Sequence, residues 1–367
     1  MKRLTTILLI FTLVHAVSVR SQVYQLLIGT YTNTGKSQGI YSYKLDMKQN
    51  QFTQQSVTTG VSNPSYLAIT ADKKFVYSVN ESDDGSAANA FMFDKKTGKL
   101  SLINRSQTKG KGPCYISITD KNVFTANYGG GSLSVFGRNV DGSLTNALQV
   151  IQHTGKSINT ERQNEPHVHQ VLISPDQKYV IANDLGTDKV TVYESNSTAN
   201  VNILTPVDTL TVKLGSGPRH ATFSKNGKRL YLVQEIDGTV SVLGFENGKL
   251  RLIQETTLVK KVGIVNRGAD IHLSPDENFL YATNRGTAND ITCFLLEKDG
   301  RLTLKQQVAT GGDGPRNFAI SPDGQYLFVA HQFTDNITIF KRNAKTGLLT
   351  DTGKSIKVGA PVCLVFY

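Results

Sequence analysis

Apolar and polar residues alternate along most of the chain in short runs that polar turns separate. Val190-Thr191-Val192-Tyr193 and Ala221-Thr222-Phe223-Ser224 are typical runs. A period of two residues is typical of β-strands that bury one face, whereas no segment shows helical periodicity of any length. The pattern therefore predicts an all-β protein.

The strands recur in modules that each begin at a Pro or Gly. These anchor residues are Pro64, Pro113, Pro166, Pro218, Gly268, Pro315 and Pro361, at successive spacings of 49, 53, 52, 50, 47 and 46 residues. Within a module, a strand leads to a turn such as Ser321-Pro322-Asp323-Gly324, and a third strand leads to a Gly-containing hairpin such as Asn247-Gly248-Lys249-Leu250. Four short antiparallel strands per module are one blade of a β-propeller, so the sequence predicts a seven-bladed propeller.

The two chain ends are predicted to share the last blade. Only one strand, Val362 to Tyr367, follows the last anchor. Tyr24 to Thr30, Gly39 to Leu45 and Gln51 to Thr58 fit the three missing strands. A blade closed by N- and C-terminal strands covers sheet edges that would otherwise be exposed.

The first residues predict an export signal. Lys2 and Arg3, an apolar run from Leu4 to Val19 and a small residue at Ser21 are typical of a cleavable secretory signal over residues 1–21, with cleavage near Ser21-Gln22. A short membrane anchor is the alternative, although the run is shorter than the roughly 20 residues of a membrane span. Residues 22–367 would then form one propeller domain in the periplasm or outside the cell, with no stable membrane span.

Charge and cysteine content exclude some classes of function. The formal charge of +11 would fall to +8 without Lys2, Arg3 and Arg20, and the remaining lysines are scattered through turns. That pattern indicates a solvated surface, so we expect no nucleic-acid partner. Three cysteines without a Cys-x-x-Cys motif favour buried free thiols over a disulfide framework or a zinc site. They are Cys114, Cys293 and Cys363.

Propeller geometry predicts where chemistry would lie. Residues just after each anchor and residues in each loop between the second and third strands converge on one mouth of the ring. In the first two modules these positions are mostly neutral: Ser65, Tyr66, Glu81, Cys114, Tyr115 and Tyr128. In the third to sixth modules they are His167, His169, Asp184, Arg219, His220, Glu235, Asp270, Arg285, Arg316, Asn317, His331 and Gln332. We therefore expect a site on one side of the mouth.

His167 and His169 follow a longer loop that carries Arg162, Gln163 and Glu165. Long loops at such a mouth are typical of functional regions. At positions i and i+2 of a strand, both histidines could reach the channel. They could bind a metal, act as acid or base, or be hydrogen-bonded within a packed turn.

Three arginines at the mouth leave two interpretations open. Arg219, Arg285 and Arg316 suit recognition of an anionic substrate, since a guanidinium offers a fixed fork of donors to a carboxylate or phosphate. Alternatively, they pair structurally with carboxylates; the candidates are Asp184, Glu235 and Asp270. Because neighbouring residues of a strand face opposite ways, Arg219 and His220 should not both face the channel squarely. The sequence lacks a Gly-x-Ser-x-Gly elbow, a phosphate loop and a dinucleotide fingerprint, so nucleophilic serine chemistry and nucleotide cofactors are not expected.

An ordered set of motifs resembles the lactonase family of seven-bladed propellers, which includes propeller-type 6-phosphogluconolactonases and carboxy-muconate cyclising enzymes. The segments that carry the resemblance are Arg162-Gln163, Pro166-His167-Val168-His169, Gly217-Pro218-Arg219-His220, Gln234-Glu235, Asn284-Arg285-Gly286 and Gly314-Pro315-Arg316-Asn317-Phe318. The similarity covers nearly the whole mature chain. His331-Gln332 departs from the Asn-Gln that the family more often shows. The export signal is a larger departure, because 6-phosphogluconolactone is a cytoplasmic metabolite.

The resemblance implies a lactonase that hydrolyses a sugar lactone without a cofactor or metal. Its catalytic residues would be His167 or His169, Arg219, Glu235 and Arg285. A His or Glu235 would activate water, and arginines would stabilise the oxyanion. The residues expected to bind the anionic lactone are Arg162, His220, Asp270, Arg316 and Gln332. We expect a monomer. A non-catalytic binding propeller and a muconate-type lactonising isomerase are the alternatives.

Overall fold

In the computed structural model, residues 22–196, 199, 201–259 and 263–367 are described, and they contain strands and turns but no helix. The predicted signal peptide, residues 1–21, lies outside the described residues. No helix in the described ranges is long and apolar enough to cross a membrane.

The strands form seven antiparallel sheets of four, as predicted. In chain order they are β1 (Val23–Thr30), β2 (Ile40–Asp46), β3 (Gln51–Thr58), β4 (Leu67–Ile69), β5 (Phe75–Asn80), β6 (Ala87–Asp94), β7 (Lys99–Gln107), β8 (Pro113–Ile118), β9 (Asn122–Asn127), β10 (Ser132–Arg138), β11 (Leu144–Gln152), β12 (Val168–Ile173), β13 (Tyr179–Asp184), β14 (Lys189–Ser195), β15 (Leu204–Thr211), β16 (Pro218–Phe223), β17 (Arg229–Gln234), β18 (Thr239–Glu246), β19 (Lys249–Thr257), β20 (Asn266–Leu273), β21 (Phe279–Gly286), β22 (Asp290–Leu296), β23 (Leu302–Ala309), β24 (Pro315–Ile320), β25 (Tyr326–His331), β26 (Asn336–Arg342), β27 (Leu349–Lys357) and β28 (Pro361–Phe366).

Blades 1 to 6 are consecutive groups of four strands from β4 to β27, and blade 7 has the order β28-β1-β2-β3. The shared last blade is therefore confirmed, with Leu26 opposite Phe366 and Ile28 opposite Leu364. Each innermost strand contacts the innermost strand of the next blade, and the contact between β28 and β4 closes the ring.

The hydrophobic core is divided among the blade interfaces. Seven buried clusters each combine residues from two neighbouring blades. Leu26 of blade 7 packs with Phe328 of blade 6, for example, and Tyr77 of blade 1 with Ile116 of blade 2. Outer strands such as β11 alternate between partly buried and exposed residues, which is the period-two pattern seen in the sequence.

Amide side chains on outer strands join several blades to the next one. Gln306 Nε2 donates to the carbonyl of Leu349 at 3.0 Å, and its Oε1 accepts from the amide of the same residue at 2.7 Å. The same two-bond contact joins Asn104 to Leu144, Gln149 to Leu204 and Gln254 to Leu302. These contacts satisfy backbone groups in the edge region of the following blade.

A β-bulge in the inner strands sets the positions of the mouth residues. In blades 2 to 6 the register with the second strand shifts just after the anchor, for example between Val168 and Gln170 and between Pro218 and His220. The extra residue has no partner across the ladder, and a bulge of this kind redirects a side chain. His169 and Arg219 are the extra residues of blades 3 and 4.

The expectation that Arg219 and His220 would not both face the channel squarely is wrong. Both side chains line one small cavity in the channel, together with residues of five other blades. The bulge at Arg219 interrupts the alternation on which the expectation depended.

Candidate active site

Three arginines converge on one carboxylate at the mouth. Glu235 lies directly after β17, and its Oε2 accepts from Arg219 Nε at 2.9 Å and from Arg285 Nη2 at 2.8 Å. Its Oε1 accepts from Arg162 Nη2 at 2.5 Å. Residues from the loop before blade 3 and from blades 4 and 5 thus meet at one point, as the sequence analysis expected of Arg219, Arg285 and Glu235. Three guanidinium groups around one carboxylate leave the cluster with a net positive charge.

The members of this cluster differ in their access to solvent. The side chain of Arg219 is 1% exposed and that of Arg285 is 10% exposed, whereas that of Arg162 is 31% exposed. Arg219 also donates to the carbonyl of Ala269, and Arg285 to the carbonyl of Gly268. Arg162 is therefore the member with the most direct access to a bound anion, whereas backbone carbonyl groups and Glu235 hold Arg219 and Arg285 in place.

Glu235 is ionised because of its neighbours. Burial alone would raise its pKa, but the charges of Arg285 and Arg219, with a smaller contribution from Arg162, hold the pKa well below its usual range. A carboxylate in this state accepts a proton poorly. Its contacts with the arginines suit it to holding them in place.

The two histidines of the Pro-His-x-His segment both contact Tyr128. His167 stacks on the Tyr128 ring at 4.5 Å between centroids, and His169 meets it edge-on at 5.3 Å. His167 Nδ1 lies 3.0 Å from the carbonyl oxygen of Tyr128, so the Nδ1–H donates there and Nε2 is the nitrogen available to take up a proton. Tyr128 also receives a hydrogen bond from Arg162 on its hydroxyl at 3.2 Å.

His169 lies deeper than His167 and is held neutral. It is 4% exposed, and its Nδ1 is 3.8 Å from the Cys114 sulfur. Burial and the nearby Arg219 and His220 hold its pKa well below the ordinary value. His167 is half-buried at the mouth. Of the two, His167 is the better placed to exchange protons with a substrate.

His220 and Asp270, predicted to bind substrate, form a buried pair. His220 Nδ1 lies 2.8 Å from Asp270 Oδ1, and His272 Nε2 lies 2.9 Å from Asp270 Oδ2. Burial lowers the pKa of His220 to about 3, and its Nε2 has no partner among the described residues. His220 lines the small cavity, whose volume of about 10 Å³ is at the lower limit for holding one water molecule. The pair thus shapes the floor of the channel.

Arg316 is placed differently from the other arginines. In the described ranges no carboxylate oxygen lies within 4 Å of its guanidinium, which instead lies over the Tyr31 ring at 5.3 Å. Both interpretations of the mouth arginines therefore apply: Arg219 and Arg285 pair with Glu235, whereas Arg316 retains donors for an anion. Asp184 pairs with His153 at 2.9 Å instead of with an arginine.

A cleft of about 880 Å³ opens at the mouth above blades 7, 1 and 2. Gln332, which the sequence analysis named as a substrate-binding candidate, lines it. The other lining residues are Tyr31, Thr32, Asn33, Thr34, Ser62, Asn63, Glu81, Ser82, Asp83, Gly112, Tyr128 and Gly129. No aliphatic side chain is among these described lining residues, so the mouth is a polar cup and not an apolar docking patch.

Sequence reasoning missed the contribution of blade 7 to this cleft, and it placed Glu81 of blade 1 at the mouth without counting it among the candidate site residues. Tyr31 was not among the loop residues compared between blades, because its blade is split between the two chain ends. Glu81, by contrast, directly follows β5 just as Glu235 follows β17. Its equivalence to Glu235 was the signal that could have identified Glu81 as a candidate site residue.

The described residues contain no group of three His, Cys, Asp or Glu side chains arranged to hold a metal ion. The three cysteines are buried free thiols, as predicted.

Comparison with known proteins connects this site to one family. The profile of the family described as Lactonase, 7-bladed beta-propeller matches residues 25–366. A 6-phosphogluconolactonase of Bacillus subtilis is 33% identical over 344 residues, which are 92% of this chain and 97% of that protein. A 6-phosphogluconolactonase of Formosa agariphila is 36% identical over 93% of this chain and 99% of its own.

Two solved structures are similar over their whole length. A Bacteroides fragilis protein proposed to be a 6-phosphogluconolactonase superimposes with a TM-score of 0.91 at 44% identity, covering 95% of this chain and 99% of the other. A periplasmic gluconolactonase of Pseudomonas aeruginosa superimposes with a TM-score of 0.88 at 35% identity, covering 94% and 99%. The fold and the sequence thus lead to the same group of proteins.

Proposed function

The chain belongs to the seven-bladed β-propeller lactonase family, and on that premise we propose that it hydrolyses a sugar lactone, either 6-phosphoglucono-1,5-lactone or a related aldonolactone. The observation that carries the proposal is the cluster of Arg162, Arg219 and Arg285 around Glu235, which Tyr128 links to His167 at the mouth. Its net positive charge suits both an anionic substrate and a developing oxyanion.

The geometry supports a role for each group. His167 takes a proton from the attacking water through Nε2, since Nδ1–H is fixed on the carbonyl of Tyr128. Arg162 stabilises the negative charge that develops on the carbonyl oxygen, because it is the most exposed guanidinium of the cluster. Glu235 is a positioning residue that holds the three arginines.

We assign the anionic group of the substrate to Arg316. Arg316 offers a guanidinium without a carboxylate partner within 4 Å in the described ranges, and the Tyr31 ring supports its plane. Gln332 lines the adjoining cleft. We assign these two residues to the phosphate or to the distal hydroxyl groups of the sugar.

We also propose that the mature protein, residues 22–367, works outside the cytoplasm. The basic start and apolar run of residues 1–21 support export. The similarity to a periplasmic gluconolactonase supports it as well. An exported enzyme would meet unphosphorylated aldonolactones more readily than a phosphorylated cytoplasmic metabolite.

A panel of lactones tests the function and the substrate. Purified 22–367 is assayed with glucono-1,5-lactone, its 6-phosphate and other aldonolactones, with each rate corrected for spontaneous hydrolysis. We expect enzymatic rates with at least one 1,5-aldonolactone, and inhibition by the corresponding aldonate. Rates equal to the spontaneous ones with every lactone would overturn the proposal. Fractionation of cells that express the full chain tests export separately.

A further inference from the structure

Two glutamates occupy the same position in two blades but have different surroundings. Glu81 follows β5 of blade 1 as Glu235 follows β17 of blade 4. Glu235 is bonded by three arginines, as described above. Glu81 has no Lys, Arg or His nitrogen within 4 Å of its carboxylate in the described part of the chain. It lines the 880 Å³ cleft.

The contacts of Glu81 are to hydroxyl groups. The Tyr31 hydroxyl donates to Oε1 at 3.1 Å and to Oε2 at 3.0 Å, and the Ser65 hydroxyl donates to Oε2. Tyr31 belongs to blade 7 and Ser65 to the innermost segment of blade 1, so the carboxyl group is fixed from two sides. The group is therefore oriented without being neutralised by a cation.

This environment favours the protonated form of Glu81 more than an ordinary surface site would. Burial raises its pKa above the usual value for a glutamate, although the charge of Arg316 and the hydroxyl groups of Ser65 and Tyr31 partly oppose the rise. For Glu235 the charges of the arginines outweigh the effect of burial, and its pKa is lowered. Two carboxyl groups whose environments push their pKa values apart are a common arrangement for acid and base roles.

Opening a lactone ring requires a proton at the leaving oxygen, since an alkoxide is a poor leaving group in water. None of the groups in the arginine cluster is suited to supply it, because the guanidinium groups keep their protons and Glu235 is ionised. Glu81 and Tyr128 line the same cleft, and His167 stacks on Tyr128. A carboxylic acid in the cleft and a base at its border could therefore both reach a lactone ring bound there.

We propose that Glu81 is the general acid of the lactonase reaction, a step that rests on the function proposed above. As the water oxygen bonds to C1, His167 takes one water proton. As the bond from C1 to the ring oxygen breaks, Glu81 gives its proton to that oxygen and becomes a carboxylate. The imidazolium then returns its proton to Glu81 through solvent, and the product acid ionises, so hydrolysis consumes one water and releases one proton.

Tyr31 and Ser65 are positioning residues for this step. The charged and titratable groups that face Glu81 from the packed elements are Tyr31, Cys114, Arg219 and Arg316, with Asp83 on its own loop. Removing the Tyr31 hydroxyl would take away a donor that favours the carboxylate. The pKa of Glu81 would then rise further.

The direct test is Glu81→Gln, with Asp84→Asn as the matched control. Asp84 is an exposed carboxylate on the same loop and is not among the residues lining the cleft. We expect Glu81→Gln to lower kcat on the preferred lactone by about 10² to 10⁴. We expect KM to change only a few-fold, and Asp84→Asn to match the wild type. A wild-type kcat in Glu81→Gln, or a loss confined to KM, would overturn the proposal.

A second variant covers the case in which Glu81→Gln fails to fold. Tyr31→Phe keeps the ring under Arg316 but loses the hydroxyl group. Since the acid must be protonated to act, kcat falls as pH rises through the pKa of Glu81. Tyr31→Phe should shift that descending limb to higher pH. A limb that stays in place or shifts to lower pH contradicts the assignment. Failure of the wild type on every lactone would instead reject the proposed function.

Discussion

At the scale of single residues, the mouth shows how environment decides what a side chain does. Glu81 and Glu235 hold equivalent positions, yet three guanidinium groups bond Glu235, whereas none in the described ranges lies within 4 Å of the Glu81 carboxylate. His167 and His169 are two residues apart, yet only His167 reaches the half-exposed mouth. Residue type and spacing therefore identify the candidates, and burial and neighbouring charge separate their roles.

Neutralising Glu235 should destabilise the fold as well as reduce activity. Glu235→Gln leaves Arg162, Arg219 and Arg285 facing one another without a countercharge, and breaking a buried ion pair costs about 3 to 5 kcal/mol. Urea unfolding should show that the free energy of unfolding of the variant is lower than that of the wild type by about 3 to 5 kcal/mol. Arg162→Gln serves as the comparison, since Arg162 is 31% exposed and its loss should cost about 1 kcal/mol or less. Equal stabilities for the two variants would contradict this account.

At the scale of strands and blades, the two-bond amide contacts hold neighbouring blades together. Replacing Gln306 by Ala leaves the amide and the carbonyl of Leu349 without their partner. An unsatisfied buried backbone group costs about 1 to 3 kcal/mol, so we expect a loss of that size in the free energy of unfolding. Lys305→Ala, an exposed neighbour on β23, should change it by less than about 0.5 kcal/mol. An unchanged midpoint for Gln306→Ala would show that these contacts contribute nothing net.

Much of the fold was predictable from the sequence because each blade repeats the same strong signals. Alternation, Ser-x-Asp turns and Gly hairpins recur at a period near fifty, and in the turn at Ser174 the hydroxyl donates to the Asp176 carboxylate at 2.6 Å. The split blade followed from counting strands at the two chain ends. The strand bounds agree within a residue or two.

The bulges were not predictable, and the wrong expectation for Arg219 and His220 follows from one of them. A bulge adds one residue to a strand and leaves no distinct composition, so simple alternation wrongly separated Arg219 from His220. Tyr31 escaped notice because its blade is assembled from both chain ends. The site was predicted on the side of the mouth that blades 3 to 6 form, and the structure adds a cleft lined mainly by blades 7, 1 and 2.

At the scale of the whole molecule, buried neutral histidines make stability depend on pH. Burial lowers the pKa of His220 to about 3 and that of His331 to about 4, and it also lowers that of His169. Below about pH 6.5 the unfolded chain binds protons that these folded residues do not. The free energy of unfolding should therefore fall as pH drops from about 6.5 towards 4, by roughly 1.4 kcal/mol per pH unit for each such histidine.

Two other groups contribute with different signs. The pKa of His272 is raised by Asp270 against the effect of burial, so its contribution is present below about pH 6.5 and is lost as pH rises through the folded value. The pKa of Asp270 is lowered, so its contribution is lost only in stronger acid. Urea unfolding at pH 7 and pH 5 measures the net slope of the free energy of unfolding against pH. His331→Asn should reduce that slope, and an unchanged slope would contradict the assignment.

The central claim is that the charged mouth of this propeller is a lactonase site, and the rate of lactone hydrolysis by Arg162→Gln tests it most directly. Arg301→Gln is the control, because Arg301 lies in an exposed hairpin turn, where it forms an ion pair with Asp299. With both variants folded, we predict that kcat/KM on the preferred aldonolactone falls by about 10² to 10³ for Arg162→Gln and stays at the wild-type value for Arg301→Gln. Wild-type kcat/KM in Arg162→Gln would contradict the account.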